Sequence, residues 1–536
     1  MTGTEEATRK TGEAAIGLLR DNGVDVIFGI PGVHTVEFYR GLTTGGIRHV
    51  LTRHEQGAGF MADGYARASG RPGVCCVISG PGVTNIMTPM GQAYSDSVPM
   101  LVLASVIQSS DLGKGRGRLH EMTDQHAAAA TVAGFSGTVL SPGELPDLMA
   151  RAFTLFQSAR PRPAYIEVPI DVLALPAAEG WKARPAAHAP APDTGAVAEA
   201  ARRLSAARHP VILTGGGAVD AAEPVRKLAE TLGAMVVPTV AGKGVLPEDH
   251  PLCLGAFLPQ ELAQEQVAAA DVVLALGSEL AETDFWQDRF RFGGDLIRVD
   301  IDPHELSDEQ PATLAILSDA AKAAEAILAQ LEAQAPGSAP NGVAGEVSAL
   351  QAKLREAEGP ERQQHRRVLE VIRQALPRDA IVATDMTQIA YAGNEIFPVY
   401  QPRSWLHPVG FGTLGYAVPA AIGARLGAPN RPVAAIVGDY GFLYTAPELA
   451  VAVEQELPVV FLLWNNEELG AIRDSMERNG IQPTAITPRN PDFPALAKAF
   501  GLPAQTARSL AELGDQIAEA LTRNGPSFIE IKANEM

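Results

Sequence analysis

The sequence predicts an α/β protein of three doubly wound, parallel-sheet domains. Short apolar runs of strand length alternate with amphipathic helical segments along the whole chain, the pattern of stacked β-α-β units. At 536 residues the chain is too long for one core. Two stretches rich in Pro, Ala and Gly, 183–193 (ARPAAHAPAPD) and 335–343 (APGSAPNGV), read as linkers that cut it into blocks of similar size. The expected domains are 1–182, 194–335 and 360–536.

The first block opens with a helix over 5–21, with Ala15, Ile16, Leu18 and Leu19 inward and Gly23 as its stop. Strands follow at 24–28, 73–78, 100–104 and 164–168. The first runs into a Gly-Ile-Pro-Gly turn at 29–32 and the second into Ser-Gly-Pro-Gly at 79–82. The second block has strands at 211–214, 271–276 and 296–300, and a triple glycine at 215–217. That triplet lacks the full G-x-G-x-x-G pattern of a dinucleotide loop, so the block reads as mainly structural. The third block starts with a helix around 368–375. It then carries two buried strands, 433–437 and 459–464, with a helix at 446–456 between them. No short-period repeat is present.

Composition narrows the function. Hydrophobic residues make up 46 % and charged residues 20 %, which suits a globular protein with large cores. The net charge of −19 argues against nucleic acid or an anionic membrane as partner, since both need basic patches. Cys75, Cys76 and Cys253 have neither disulfide nor zinc spacing and read as reduced, buried thiols. The opening MTGTEEATRKTGEAA contains no apolar stretch of a secretory leader, and no apolar run is long enough to span a bilayer. A cytoplasmic enzyme is expected.

The chemistry concentrates at the ends of the two strands in the third block. Gly438-Asp439-Tyr440-Gly441 follows one, and Asn465-Asn466-Glu467-Glu468 follows the other. Ligands bind at the carboxyl ends of strands in an open α/β sheet. A carboxylate and a carboxamide meeting there offer the hard oxygens that Mg²⁺ takes and shares with phosphates. Gly438 and Gly441 allow backbone amides close to a diphosphate. A Gly-Asp turn or an Asn cap is commonplace alone. The two on neighbouring strand ends are more specific.

This pattern resembles the thiamine-diphosphate motif, GDG followed by NN, of the acetolactate synthases and 2-oxo acid decarboxylases. Tyr440 stands where the family has a small residue. The resemblance implies Mg²⁺ on Asp439, the Asn466 side chain and the Glu468 carbonyl. It implies cofactor contacts from Gly438, Tyr440, Gly441, Thr387 and Gln388. It extends to 52–58 (TRHEQGA), where Glu55 matches the glutamate that contacts N1′ of the aminopyrimidine and so promotes loss of the thiazolium C2 proton. Read without the resemblance, Glu55 is an acid favoured in a first helical turn. The segments 29–32, 79–85 and 93–99 resemble pyrimidine-domain loops, placing Pro31 and Asn85 at the cofactor. The segment 411–416 (FGTLGY) resembles the family's GTMGFG, placing Gly412, Thr413 and Leu414 there. Since the family holds the pyrimidine on one chain and the diphosphate on another, a homodimer or homotetramer is implied.

Two departures bear on the reaction. The basic flavin segment of acetolactate synthases is replaced by 277–286 (GSELAETDFW), which argues against FAD. Their AFQE segment is replaced around Leu119-His120-Glu121, which together with His34 resembles the 5-guanidino-2-oxopentanoate decarboxylase branch, an enzyme type of arginine catabolism. His120 is then a candidate catalytic proton relay, with His34 as a substrate contact. A guanidinium substrate calls for a carboxylate partner, for which Glu121, Asp124, Glu282 and Asp284 are candidates. Each of the four also reads as a solvated surface acid. The rivals are an acetolactate-synthase-like carboligase and a catalytically silent scaffold of the same fold.

Overall fold

A computed structural model describes residues 9–287, 289–334 and 342–536. The expected second linker at 335–343 lies almost wholly outside them. Three parallel sheets are present. The first comprises β1 (Val26–Gly29), β2 (Arg48–Leu51), β3 (Gly73–Val77), β4 (Met100–Val106), β5 (Phe135–Thr138) and β6 (Ala164–Pro169). The second comprises β7 (Pro210–Thr214), β8 (Met235–Pro238), β9 (Val272–Leu276), β10 (Asp295–Asp300) and β11 (Leu314–Leu317). The third comprises β12 (Ile381–Thr384), β13 (Trp405–Leu406), β14 (Val433–Gly438), β15 (Val459–Asn465), β16 (Ala504–Ala507) and β17 (Ser527–Lys532).

The strand orders explain where ligands can sit. The first sheet runs β2-β1-β3-β4-β6-β5 and the third β13-β12-β14-β15-β17-β16, the same order in two separate sheets. In each, the winding reverses between the first and the third strand of the sequence. That reversal opens a crevice at the strand carboxyl ends. The loops flanking it are 30–35 and 78–82 in the first sheet, and 385–388 and 439–441 in the third. The second sheet, β11-β10-β9-β7-β8, is covered on both faces. Ile212, Leu274, Ile297 and Val299 join one apolar cluster. Val211, Leu213, Val273 and Leu296 join the other, as the two-residue period of a strand requires.

The chain forms two compact units. Of the described residues, one unit holds 9–188, 410–429 and 445–457, and the other holds the rest. Two segments of the third block therefore pack within the first unit. The reason is helix Ala417–Gly427, whose small residues let it lie directly on helix Glu55–Ser69. A Cβ on Gly64 would stand 2.0 Å from the Ala420 oxygen, and one on Gly423 1.8 Å from the Met61 oxygen. No helix among the described residues is long and apolar enough to cross a membrane.

Several expected boundaries shift. The first helix begins at Thr11, because Lys10 pairs with Pro176 in an isolated bridge; residues 5–8 lie outside the described set. In the 438–442 stretch, Asp439 opens a helix that runs to Thr445. The helix expected at 446–456 is a 3-10 turn, Ala446–Glu448, followed by helix Leu449–Glu454.

Candidate functional site

In the first unit, β2 ends at Leu51 and the chain turns through Thr52–His54 into helix Glu55–Ser69. His54 is its N-cap, accepting the Gln56 amide. Glu55 is therefore the first helical residue, 8 % exposed. Its Oε2 accepts a hydrogen bond of 3.0 Å from Asn85 Nδ2, so the structure brings together two of the residues the sequence singled out. The opening of helix Pro81–Ser95 lies alongside. Glu448 was not expected here. Buried at 1 % exposure, it accepts the amides of Arg53 and His54 at 3.1 and 3.0 Å.

Above the same sheet, His34 Nδ1 lies 2.5 Å from Ser79 Oγ. The His34 and His120 rings meet edge to face, with centroids 5.2 Å apart. Burial and the neighbouring His120 lower the His34 pKa. Below them, Gln125 accepts the Gly80 amide at 2.8 Å and donates to Ser105, Tyr165 and Glu167. Gln125 is thus a buried strut for the 79–82 loop. Pro31 is exposed on the 30–35 loop.

Thr413 donates through both its amide and its hydroxyl to Gln92 Oε1, at 3.2 and 2.9 Å. Gly412 and Gly415 have φ of +65° and +84°. Leu414, between them, is half-buried.

The second unit holds the other half of the expected residues. Asp439 is buried. Its Oδ2 accepts Asn490 Nδ2 at 2.7 Å and the Glu467 amide at 3.0 Å, while Oδ1 accepts the Tyr440 amide at 2.9 Å. Burial raises the Asp439 carboxyl, and these donors pull it back. Asn466 donates through Nδ2 to Gln388 Oε1 at 3.2 Å. Its own oxygen then lies 3.0 Å from the Glu468 carbonyl oxygen and 3.3 Å from Asp439 Oδ1. Turning the amide over would make both contacts hydrogen bonds. In that orientation the amide donates to both; in the other its oxygen joins the Glu468 and Asp439 oxygens as a donor set that a cation would hold together, and ligands about 2.1 Å from Mg²⁺ at right angles lie about 3 Å apart. The Asp439, Asn466 and Glu468 oxygens therefore fit the metal the sequence pointed to. Thr387 sits at the N-cap position of helix Gln388–Ile396 without a side-chain capping bond and crowds Gly438, where a Cβ would come 2.8 Å from Thr387 Oγ1. The free amides at that helix start suit an anion. Gly441 lies against the buried Asp385 carboxyl in the same way.

The candidate guanidinium acids are more committed than surface acids. Glu121 accepts the amides of Arg116 and Arg118 at 3.0 and 2.9 Å, which lower its pKa. Asp124 caps helix Gln125–Ala130. Asp284, partly buried, accepts the Ala281 amide; desolvation, with Glu279 nearby, pushes it up to about 7. Glu282 is exposed, as is the capping Asp124. In the second sheet, the Gly215 and Gly217 amides are taken by the Leu276 and Gly277 carbonyls, both at 2.9 Å. They face a neighbouring loop and present nothing to a phosphate.

Three family profiles match the chain. They are the N-terminal TPP binding domain of thiamine pyrophosphate enzymes over residues 9–128, the central domain over 197–327, and the C-terminal TPP binding domain over 385–531. The chain is 52 % identical to the probable 2-ketoarginine decarboxylase of Pseudomonas aeruginosa, over 98 % of this chain and 94 % of that one. It is 31 % identical to the acetolactate synthase isozyme 1 large subunit of Escherichia coli, over 99 % and 95 %. It is 32 % identical to the probable acetolactate synthase large subunit of Methanocaldococcus jannaschii, over 97 % and 91 %.

Proposed function

Since the chain belongs to the thiamine pyrophosphate enzymes, we propose that it removes CO₂ without oxidation from 5-guanidino-2-oxopentanoate (2-ketoarginine), leaving 4-guanidinobutanal. The observation that carries this reading is the near full-length identity of 52 % to a probable 2-ketoarginine decarboxylase, against 31–32 % to acetolactate synthases. The expected setting is the cytoplasm, in the breakdown of arginine.

Thiamine diphosphate, when bound, supplies a carbon nucleophile for the keto carbon and an acceptor for the electrons left as CO₂ departs. The protein's part is binding, orientation and proton handling. Asp439 Oδ1, the Asn466 oxygen and the Glu468 carbonyl hold Mg²⁺, and Thr387, Gln388, Gly438, Tyr440 and Gly441 receive the diphosphate. Pro31, Asn85, Gly412, Thr413 and Leu414 line the pyrimidine side. Asn85 fixes Glu55 Oε2 and leaves Oε1 to hold a proton at the pyrimidine N1′. His34, tied through Nδ1 to Ser79, keeps its other ring nitrogen for the substrate. His120, whose ring meets that of His34 edge to face, is the group that returns a proton to the product carbon.

The functional unit is a homodimer or homotetramer, in which Glu55 of one copy completes the Asp439 site of another. The test is a panel of 2-oxo acids offered to purified protein with thiamine diphosphate and Mg²⁺. CO₂ and guanidinobutanal from the guanidino substrate support the assignment. Acetolactate from pyruvate, with no turnover of the guanidino acid, transfers the enzyme to the carboligases.

A further inference from the structure

The turn that presents Glu55 has little to hold it from within. Thr52 Oγ1 is buried without a hydrogen-bond partner, and the His54 ring serves only the helix amide of Gln56. The turn is held from nearly 400 residues along the chain. Glu448 Oε1 accepts both the Arg53 and the His54 amide, at 3.1 and 3.0 Å, and Oε2 accepts the Arg53 amide at 3.2 Å. The same segment grips the turn's flanks: Arg53 pairs with Glu454, and Arg48 donates to Gln455 at 2.6 Å. The fit against the first helical turn is close. A Cβ on Gly57 would stand 2.2 Å from Glu448 Oε1.

We propose that Glu448 is the positioning residue for Glu55: by accepting the Arg53 and His54 amides, its carboxyl fixes the strand-to-helix turn from which the Glu55 carboxyl projects. Glu448 itself touches neither substrate nor cofactor. The charged and titratable groups around it are Arg53, His54 and Glu55 across the contact and Glu454 on its own segment. Burial pushes the Glu448 carboxyl up to about 7, with Glu55 adding to the rise and the two amides and Arg53 opposing it. Both amides reach Oε1, so a neutral glutamine in its place keeps those two contacts and loses only the longer one from the Arg53 amide to Oε2. The inference rests on the reading of Glu55 as the acid at the pyrimidine.

Three variants test it. Glu448→Ala removes the acceptor, Glu448→Gln keeps it, and Gly57→Ala displaces it with both carboxyls intact. The flexible end of Glu448 is what the new methyl meets, so Gly57→Ala is expected to fold. Hydrogen–deuterium exchange over 52–58 is followed in cofactor-free protein, beside kcat, KM and thiamine diphosphate affinity in Mg²⁺. Glu448→Ala and Gly57→Ala are expected to exchange the 53 and 54 amides faster and to lose about 10- to 100-fold in kcat, the scale of a displaced catalytic group, with KM and cofactor affinity nearly unchanged. Glu448→Gln is expected to restore slow exchange and most of kcat. Unchanged exchange in Glu448→Ala, or Glu448→Gln as impaired as alanine, overturns the proposal. If alanine fails to fold, the contrast between Glu448→Gln and Gly57→Ala decides. Normal turnover in Glu55→Gln overturns the reading of Glu55 instead, whatever the exchange shows.

Discussion

Asn490 offers the sharpest test of the metal site, because it holds a ligand without being one. Its Nδ2 donates to Asp439 Oδ2 at 2.7 Å and to Asn465 Oδ1 at 3.2 Å. That contact keeps Oδ2 turned away and leaves Oδ1 with the Asn466 and Glu468 oxygens. A hydrogen bond to a charged group contributes about 1.5–3 kcal/mol. The Glu467 amide still holds Oδ2 when Asn490 is gone, so Asn490→Ala should fall in the lower part of that range. At about 1.4 kcal/mol per factor of ten, the Mg²⁺ needed for half-saturation should rise roughly 10- to 50-fold. Fold stability should change far less. The other end of the side chain, Oδ1, is buried with no partner, and its removal relieves a cost that offsets the lost contacts. The assay is a Mg²⁺ titration at fixed thiamine diphosphate, read by tryptophan fluorescence, beside a thermal melt. A half-saturation within twofold of wild type, in a folded variant, would refute the assignment of Asp439 Oδ1 to the metal.

Other outcomes follow from the same contacts. Glu55→Gln should bind thiamine diphosphate normally and lose about 10²- to 10⁴-fold in turnover, checked by calorimetry and steady-state rates. Asp439→Ala should abolish Mg²⁺-dependent cofactor binding; tight binding in that variant would remove it from the metal site. Refolding Glu55→Gln and Asp439→Ala subunits together should recover roughly a quarter of wild-type activity, since half of randomly paired dimers are mixed and each has one intact site; no recovery would place both residues' work within one chain. His365 is held down to about 4 by burial and Arg362. As pH falls through 6.5 the unfolded chain takes up a proton that the folded one refuses until about 4, so stability is lost across that window. The loss is about 2 kcal/mol between pH 7 and 5, and His365→Asn should lower the apparent melting temperature less than wild type over that interval.

What the sequence made legible was local. The GD and NN pairs, and TRHEQGA, announce themselves because each puts its polar residues directly at a strand end. The parallel sheets follow from apolar runs that need no partner to be recognised. Asn490 and Glu448 carry no such mark. Asn490 precedes Pro491 and reads as a turn; Glu448 follows Pro447 and reads as the start of a helix. Their roles come from contacts 51 and 394 residues away along the chain, which no local pattern encodes. The element that carries Asp439 was less legible: the glycines on either side of Asp439-Tyr440 hide the helix that runs from Asp439 to Thr445, in which Gly441 lies against the Asp385 carboxyl. The guanidinium partner stayed hidden for another reason: an acid's value depends on whether its oxygens are already taken, and those of Glu121 are.

The discontinuity of the first unit has a consequence for how the protein is made. Helix Glu55–Ser69 leaves the ribosome early, but the helix that covers it, Ala417–Gly427, is translated only some 350 residues later. At about 5–20 residues per second the nascent chain waits on the order of tens of seconds with Gly64 and its neighbours uncovered. The stretch 1–188 made alone should therefore be poorly soluble, and supplying 410–457 in trans should rescue it. The moment at which 410–457 is made, rather than that at which Glu55 is, decides when Glu55 acquires its final surroundings.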